Sequence, residues 1–351
     1  MADRIGFGMV GCGVIAPFHA TGIKETPGAF LAGACDPHEE AAKGFSASHG
    51  NIPFYTDIEE MLRRDDVQAV CICTPSGMHS DQAVMAARAK KHVLCEKPLD
   101  ITLPKIDRMI RVCREEGVKL GGIFQRRTYE ATRKAREAVQ GGLLGKMVLG
   151  DVYQKFYRSP EYYRSGAWRG TWALDGGGAL MNQGVHGIDI LLWIMGDVNS
   201  VIAKADHLVR DIEVEDTAIA IVTFENGAFG VVEGATSCNP GEAARLELHG
   251  EKGTIILTDS GIVRWAVAKG DKHLAQDEKM ASAEERAHGV SDPKAISAEG
   301  HIALIRDFVD AIKNDREPMV TAQSARKPVE LILAIYESAR TGREVALPLS
   351  S

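Results

Sequence analysis

The chain has 351 residues, 45% hydrophobic and 25% charged, with a formal net charge of -7. At roughly 150 residues per domain this length calls for two cores, and the balance is that of a globular chain rather than a disordered or fibrous one. The acidic total excludes a nucleic-acid partner, which needs clustered positive charge to displace counterions, and leaves small molecules as the expected ligands. No apolar run reaches the roughly 20 residues that span a bilayer, and the first residues lead into a strand pattern rather than a signal peptide. The seven cysteines form no C-x-x-C pair and several sit in apolar runs, so they read as reduced core thiols of a cytoplasmic protein.

Residues 4–10 form a short apolar run that ends in Gly11-Cys12-Gly13-Val14-Ile15-Ala16. A helix pattern over 15–24, a second apolar run over 30–35 and Asp36-Pro37 complete a βαβ unit. The alternation continues with helices over 41–49 and 57–63, a strand over 69–73, a helix over 80–89, a strand over 93–95, a helix over 106–116 and a strand over 119–123. Apolar strands without alternation are buried on both faces, as in a parallel sheet, so an α/β domain is expected over 1–125.

From about residue 128 the pattern changes. A basic helix over 129–140 stops at Gly141-Gly142, and period-two alternation recurs over 148–156, 198–209, 216–225, 229–236, 244–250 and 253–258. That is the signature of an antiparallel sheet. An apolar helix over 178–195, stopped by Gly196, is its expected cover. Helices over 299–314 and 324–341 follow, with Pro348 in a final strand. The second domain is expected over 126–351 as an α+β unit with an open, predominantly antiparallel sheet, its last helices returning to support both halves. Residues 269–300 are polar, charged and aperiodic, and read as a long loop or lid.

Gly11 and Gly13 lie where a strand gives way to a helix, with Val14 and Ile15 leading into it. Glycines there permit a tight turn and close approach of backbone to a pyrophosphate at the helix N-terminus. Asp36 ends the next strand, where a carboxylate accepts hydrogen bonds from ribose hydroxyls and repels a 2'-phosphate, so NAD is favoured over NADP. The same aspartate can also simply open the turn with Pro37. Thr74 and Pro75 close the 69–73 strand at the edge where ligands sit in open α/β sheets. His79 follows, either as part of that edge or as an ordinary first-turn helix residue. Gln125, after the last strand, either faces the nicotinamide or is an exposed loop amide.

Downstream, Asn182, His186 and Asp189 stand at i, i+4 and i+7, so one helix would present all three on a shared face. His186 and Asp189 also have a spacing that can ligate, but no third ligand has recognisable spacing, and no metal is expected. Arg126, Arg127, Arg158, Arg164 and Arg169 bring cations to the second half, either to clamp a carboxylate or phosphate or as solvated surface charge.

With these pieces in place the chain resembles the Gfo/Idh/MocA family, the glucose-fructose oxidoreductases and inositol dehydrogenases. The resemblance lies in Gly11 to Ala16, Thr74-Pro75 with His79, Glu96-Lys97-Pro98, Gly142-Leu143-Leu144-Gly145-Lys146, the run over 176–189, and Tyr336-Glu337-Ser338-Ala339. It implies an N-terminal Rossmann domain, a C-terminal open sheet used for oligomerisation, and oxidation or reduction of sugars, polyols and sugar acids with nicotinamide. It also implies that Lys97 sits beside the nicotinamide and hydrogen-bonds the reacting hydroxyl, with Glu96 bracing the site, a cis bond before Pro98, and Trp168 and Arg169 close to the cofactor.

An amine with a solution pKa of roughly 10.4 serves as a cationic electrophile, while the imidazole of His186 titrates near neutrality and is the better proton carrier. Many polyol-oxidising members carry Asp where this chain has Asn182; an amide takes no proton at ordinary pH, so Asn182 is expected to orient a substrate hydroxyl. The expectation is an NAD-dependent dehydrogenase acting on a secondary hydroxyl of a carbohydrate, in a homodimer or homotetramer formed through the C-terminal sheet. The alternatives are a non-catalytic NAD-binding regulator and an NAD-dependent glycoside-cleaving enzyme that works by transient oxidation.

Overall fold

Short apolar runs flanked by glycine and helix patterns become strands β1 (Ile5–Val10), β2 (Ala29–Cys35), β3 (Phe54–Tyr55), β4 (Ala69–Ile72), β5 (His92–Cys95) and β6 (Leu120–Gly122). They pair in the order β3-β2-β1-β4-β5-β6, and every pairing is parallel. All four residues of β4 are buried, as a strand covered on both faces requires. Helices α1 (Ala16–Lys24), α2 (Glu39–Ser48), α3 (Ile58–Leu62), α4 (His79–Arg88) and α5 (Leu103–Glu115) make the crossovers. The strand order reverses between β2 and β4 on either side of β1, and the crevice at such a switch point is where open α/β sheets take ligands.

The computed structural model describes residues 4–268, 276–277 and 297–349. Two compact units divide the chain, one of Met1–Gln125 with Ser297–Arg326 and one of Arg126–Ile296 with Lys327–Ser351. Most of the loop expected over 269–300 lies outside the described residues.

The second unit is built on a nine-stranded sheet of β7 (Met147–Lys155), β8 (Val198–Asp206), β9 (Thr217–Phe224), β10 (Phe229–Ala235), β11 (Arg245–Gly250), β12 (Gly253–Thr258), β13 (Gly261–Val267), β14 (Gln276–Asp277) and β15 (Val345–Ala346). The order is β14-β13-β12-β11-β7-β10-β9-β8-β15, antiparallel throughout except for β10 against β7. The period-two pattern sorts its faces. Val152, Val201, Ala220, Val222, Phe224 and Val232 are buried, while Leu149, Ile202, Ile219, Ile221 and Phe229 are each at least 40% exposed.

Helices α6 (Glu130–Gln140), α7 (Pro160–Arg164) and α8 (Val185–Met195) belong to this unit. Close approach of α8 to β7 depends on missing side chains: a Cβ on Gly150 would stand 2.7 Å from Met195, and one on Gly187 would stand 2.4 Å from Gln154. The single helix expected over 178–195 is instead a π-helical segment, Ala179–Gly184, that runs into α8. Its wider turns shift the phase of everything that follows.

The π segment starts from a glycine run held by a buried acid. Glu215 accepts hydrogen bonds from the Gly178 amide at 2.9 Å, the Leu180 amide at 2.8 Å and the Tyr336 hydroxyl at 2.8 Å. A Cβ on Gly177 would stand 2.1 Å from that hydroxyl, and one on Gly178 would stand 2.0 Å from the Glu215 carbonyl oxygen. Glycine is therefore required at both positions.

Helix α9 (Glu299–Lys313) returns to the first unit and packs on α1. Gly22 and Gly300 allow that approach, since Cβ atoms there would stand 2.5 Å from Ile305 and 2.7 Å from Gln125. Helix α10 (Ala322–Thr341) supplies Tyr336 and Ser338, whose hydroxyl accepts the Ala203 amide at 3.0 Å and donates to the Arg343 carbonyl at 2.6 Å.

Burial pushes the Glu215 carboxyl up to about 7 against its three donors. The folded chain thus holds this proton more tightly than the unfolded chain, in which the carboxyl keeps its ordinary value of 4.5. The resulting stability is fully present below about pH 4.5 and lost as pH rises through about 7, a span worth about 3 kcal/mol. Urea midpoints compared between pH 5 and pH 8 should therefore fall more steeply for the natural chain than for Glu215→Gln; equal slopes would remove Glu215 as the cause.

Candidate active site

The carboxyl ends of the parallel strands bring one set of expected residues to one edge of the first unit. β1 delivers the glycine turn. Gly11 has φ +89°, and a Cβ there would meet the Cys73 carbonyl oxygen at 2.8 Å, so β1 and β4 can run side by side only with glycine at this position. Gly13 differs: nothing of the protein lies within 4 Å of where its Cβ would be. Its missing side chain leaves open backbone rather than relieving an internal clash.

Val14 beside it is 57% exposed, and Ile15 caps α1 through its backbone alone. That helix start has no side-chain cap and no acid in its first turn, so no side chain of its own offsets the positive end of the helix dipole that favours an anion. Asp36, at the end of β2, is aimed by two backbone amides, from Cys12 to Oδ2 at 2.9 Å and from His38 to Oδ1 at 2.9 Å. The turn, the helix start and the oriented acid fit a dinucleotide. Cys12 sits within this turn, and burial pushes its thiol up to about 12, which keeps it an unreactive thiol.

Thr74 and Pro75 follow β4, and the Thr74 hydroxyl donates to Gln82 at 2.6 Å. His79 is buried and opens α4, the first-turn position that was one of its two expected places. Its Nε2 meets the Thr74 carbonyl at 2.8 Å and its Nδ1 the Pro98 carbonyl at 2.8 Å. With both ring nitrogens engaged, it ties the loop after β4 to the loop after β5. Gln125 is also buried, against Gly300, and is not an exposed loop amide.

Glu96-Lys97-Pro98 leaves β5, and the Lys97–Pro98 peptide is cis. The half-buried Lys97 donates its backbone amide to Glu96 Oε2 at 3.1 Å. Glu96 Oε1 meets Nε2 of His19 at 2.8 Å and of His301 at 3.5 Å. Burial alone would raise the Glu96 carboxyl, but the two imidazoles outweigh it and hold the group well below the usual carboxylate range. Burial pushes the His19 imidazole down, so the pair is a neutral ring donating to a carboxylate. Neither histidine was found by motif. The available signal was His19 on a helix face otherwise lined by Ala16, Ala20 and Ile23, where a polar ring needs a buried partner.

In the second unit the expected shared face divides. Asn182 and His186 are half-buried, whereas Asp189 is 1% exposed and takes a two-pronged bond from Arg127, at 2.9 and 2.5 Å. The π segment accounts for the split, because its turn length puts Asn182 and Asp189 out of simple i, i+7 phase. Asn182 donates to Asp175 at 2.5 Å and accepts from Gln183 at 3.1 Å.

Arg126, Arg127 and Arg164 are paired with Asp259, Asp189 and Glu161. Arg158 and Arg169 surround Tyr162 instead. Arg169 lies over the Tyr162 and Trp168 rings at 4.3 and 4.5 Å and donates to the Tyr162 hydroxyl at 2.5 Å, and Arg158 donates to Gln183 at 2.8 Å.

Comparison with known proteins agrees with this geometry. Residues 5–123 match the model of the oxidoreductase family with an NAD-binding Rossmann fold, and residues 132–256 match that of the GFO/IDH/MocA C-terminal domain. The chain belongs to the Gfo/Idh/MocA family. Among curated relatives, myo-inositol 2-dehydrogenase of Thermotoga maritima is 31% identical over 72% of this chain and 78% of its own. The 1,5-anhydro-D-fructose reductase of Ensifer adhaerens is 26% identical over 96% and 97%.

Among solved structures, the WlbA dehydrogenase of Bordetella pertussis, in complex with NADH and UDP-GlcNAcA, superposes with a TM-score of 0.87 at 31% identity, covering 99% of this chain and 100% of that one. This Gfo/Idh/MocA member is therefore an NAD-binding oxidoreductase. Among the described residues no helix is long and apolar enough to cross a membrane.

Because the space beside Gly13 is empty of protein, Gly13→Val should leave the melting temperature unchanged and weaken NADH binding more than tenfold, by steric occupation of the pyrophosphate seat. A fluorescence titration reads it; unaltered NADH affinity would mean that the dinucleotide lies elsewhere.

Proposed function

We propose that this chain oxidises a secondary hydroxyl of a sugar, polyol or sugar acid, with Lys97 as electrophile and His186 as proton carrier. The observation that carries the reading is the clamped backbone of Lys97, on the same strand edge as the glycine turn and the oriented Asp36. The names of the relatives, an inositol dehydrogenase and an anhydrofructose reductase, agree with the substrate class.

The glycine turn and Asp36 would hold the dinucleotide, whose nicotinamide would supply the hydride acceptor. Lys97 donates a hydrogen bond to the reacting oxygen and stabilises charge as it develops. His186 removes the hydroxyl proton, and Asn182 orients a neighbouring hydroxyl. The carbon loses a hydride and its oxygen a proton, leaving a ketone or lactone. Thr74, Pro75 and Gln125 are proposed as further cofactor contacts of the first unit, and Trp168 and Arg169 as those the second unit contributes.

Within this class we favour sugar acids. Arg158 and Arg169 bracket Tyr162 and are suited to a carboxylate, and the similar Bordetella structure holds UDP-GlcNAcA.

Replacing Lys97 by Ala, or His186 by Ala, should lower kcat by roughly a hundred- to ten-thousandfold while NADH still binds. NADH absorbance in a screen of sugars, polyols and sugar acids supplies the substrate for this assay. A Lys97→Ala enzyme with undiminished turnover would end the reading.

We also propose that the protein is cytoplasmic and that a second copy covers the exposed face of the large sheet, where Ile202 lies opposite Ile221 and Phe229 opposite Leu149. Light scattering should give a dimer or tetramer that Ile221→Lys with Phe229→Lys reduces to monomer. A monomeric natural protein would contradict the assignment.

A further inference from the structure

His19 on α1, Glu96 after β5 and His301 on α9 are brought together from three remote parts of the chain, with ligand-type atoms within 4.8 Å of one another. Such a trio can be a metal site or a hydrogen-bonded clamp. The distances favour the clamp. Both imidazoles face the same oxygen, Oε1: His19 Nε2 hydrogen-bonds it at 2.8 Å, while His301 Nε2 stands 3.5 Å away and makes no hydrogen bond among the described residues. The other oxygen is taken by the Lys97 amide. A ligating histidine ordinarily binds an outer partner through its second ring nitrogen, whereas Nδ1 of His19 and of His301 meets none among the described residues.

We propose that His19 and His301, acting through Glu96, are positioning residues for Lys97. The inference rests on the reading of Lys97 given above. A buried glutamate has several rotamers, and only one lets Oε2 hold the next residue's amide. His19 selects it by holding Oε1, and His301 adds a second, longer polar contact to the same oxygen. On the far side of Lys97, the Pro98 carbonyl is held by His79 Nδ1. The amine therefore departs from a backbone fixed at both ends.

His19 stands on the helix that begins at the glycine turn; His301 is brought in by α9 through the close approaches at Gly22 and Gly300. Hydride transfer is sensitive to misplacement of a positioned group by an ångström or less, while dinucleotide affinity at the glycine turn is not set by this carboxylate.

The test compares His19→Asn with His19→Gln, since His19 is the ring that hydrogen-bonds Glu96. A glutamine amide can stand where Nε2 does and donate to Glu96, whereas the asparagine amide stands nearer Nδ1 and cannot reach. The asparagine enzyme should lose roughly ten- to hundredfold in kcat, with a larger deuterium isotope effect on the transferred hydrogen and unchanged NADH affinity. The glutamine enzyme should recover most of the rate.

A merely structural role would lower melting temperature, NADH affinity and kcat together and affect both variants alike. That result overturns the proposal, as does an asparagine enzyme with natural kcat or one restored by added zinc. Should His19→Asn not fold, His19→Gln alone carries the test: near-natural kcat with unchanged NADH affinity supports the clamp, and joint loss of melting temperature, NADH affinity and kcat overturns it. An inactive Lys97→Ala enzyme beside a fully active His19→Asn enzyme would defeat this inference alone, and an active Lys97→Ala enzyme would defeat the functional reading first.

Discussion

A carboxylate buried in a protein interior must be surrounded by donors or give up its charge, and that constraint organises the first unit around Glu96. Its donors are His19 of α1 and the amide of Lys97, and His301 of α9 adds a longer polar contact. Meeting the demand requires a helix from the far end of the chain to lie against the first helix, which is why Gly22 and Gly300 lack side chains where they do. The Rossmann sheet supplies the edge, and the buried acid fixes what the edge presents.

The second unit solves a similar problem twice. Glu215 gathers two amides of the glycine-rich entry to the π segment and the Tyr336 hydroxyl, and so fixes the start of the segment that carries Asn182. Asp189, one turn beyond His186, is locked by Arg127. In each case a half-buried polar side chain is backed by a buried ionisable group. Removing one partner of such a pair leaves a buried charge uncompensated, which costs far more than the net worth of the contact. Buried acids of this kind give the side chains above them a single orientation.

Much of this architecture was legible because it depends on local pattern. Apolar runs between glycine and helix signals gave the parallel sheet, and strict alternation gave the faces of the open one. Gly11, Gly13 and Asp36 were legible because a strand-turn-helix geometry admits few residue types. The π segment was not, since its composition is that of an ordinary apolar helix and only the packing of Gly184 and Gly187 against Gln154 distinguishes it. β13 and β14 escaped notice, the first being a short run beyond an already long sheet.

His79 and Asp189 carried the right chemistry for a site but turned inward, and His301 carried no signal beyond a histidine after a glycine. Such assignments depend on which remote segment arrives, and neither period nor propensity encodes that. The same limit explains why Arg127 reads as a surface cation in sequence and is a buried partner in the fold.

The proposed chemistry has Lys97 and His186 act on the same substrate oxygen. A crystal structure of the protein with NADH and an unreactive substrate analogue tests it most directly. The account predicts Lys97 Nζ and a ring nitrogen of His186 both within about 2.6–3.2 Å of the analogue's oxygen at the reacting carbon. Either side chain turned away from that oxygen, with the nicotinamide in place, would contradict it.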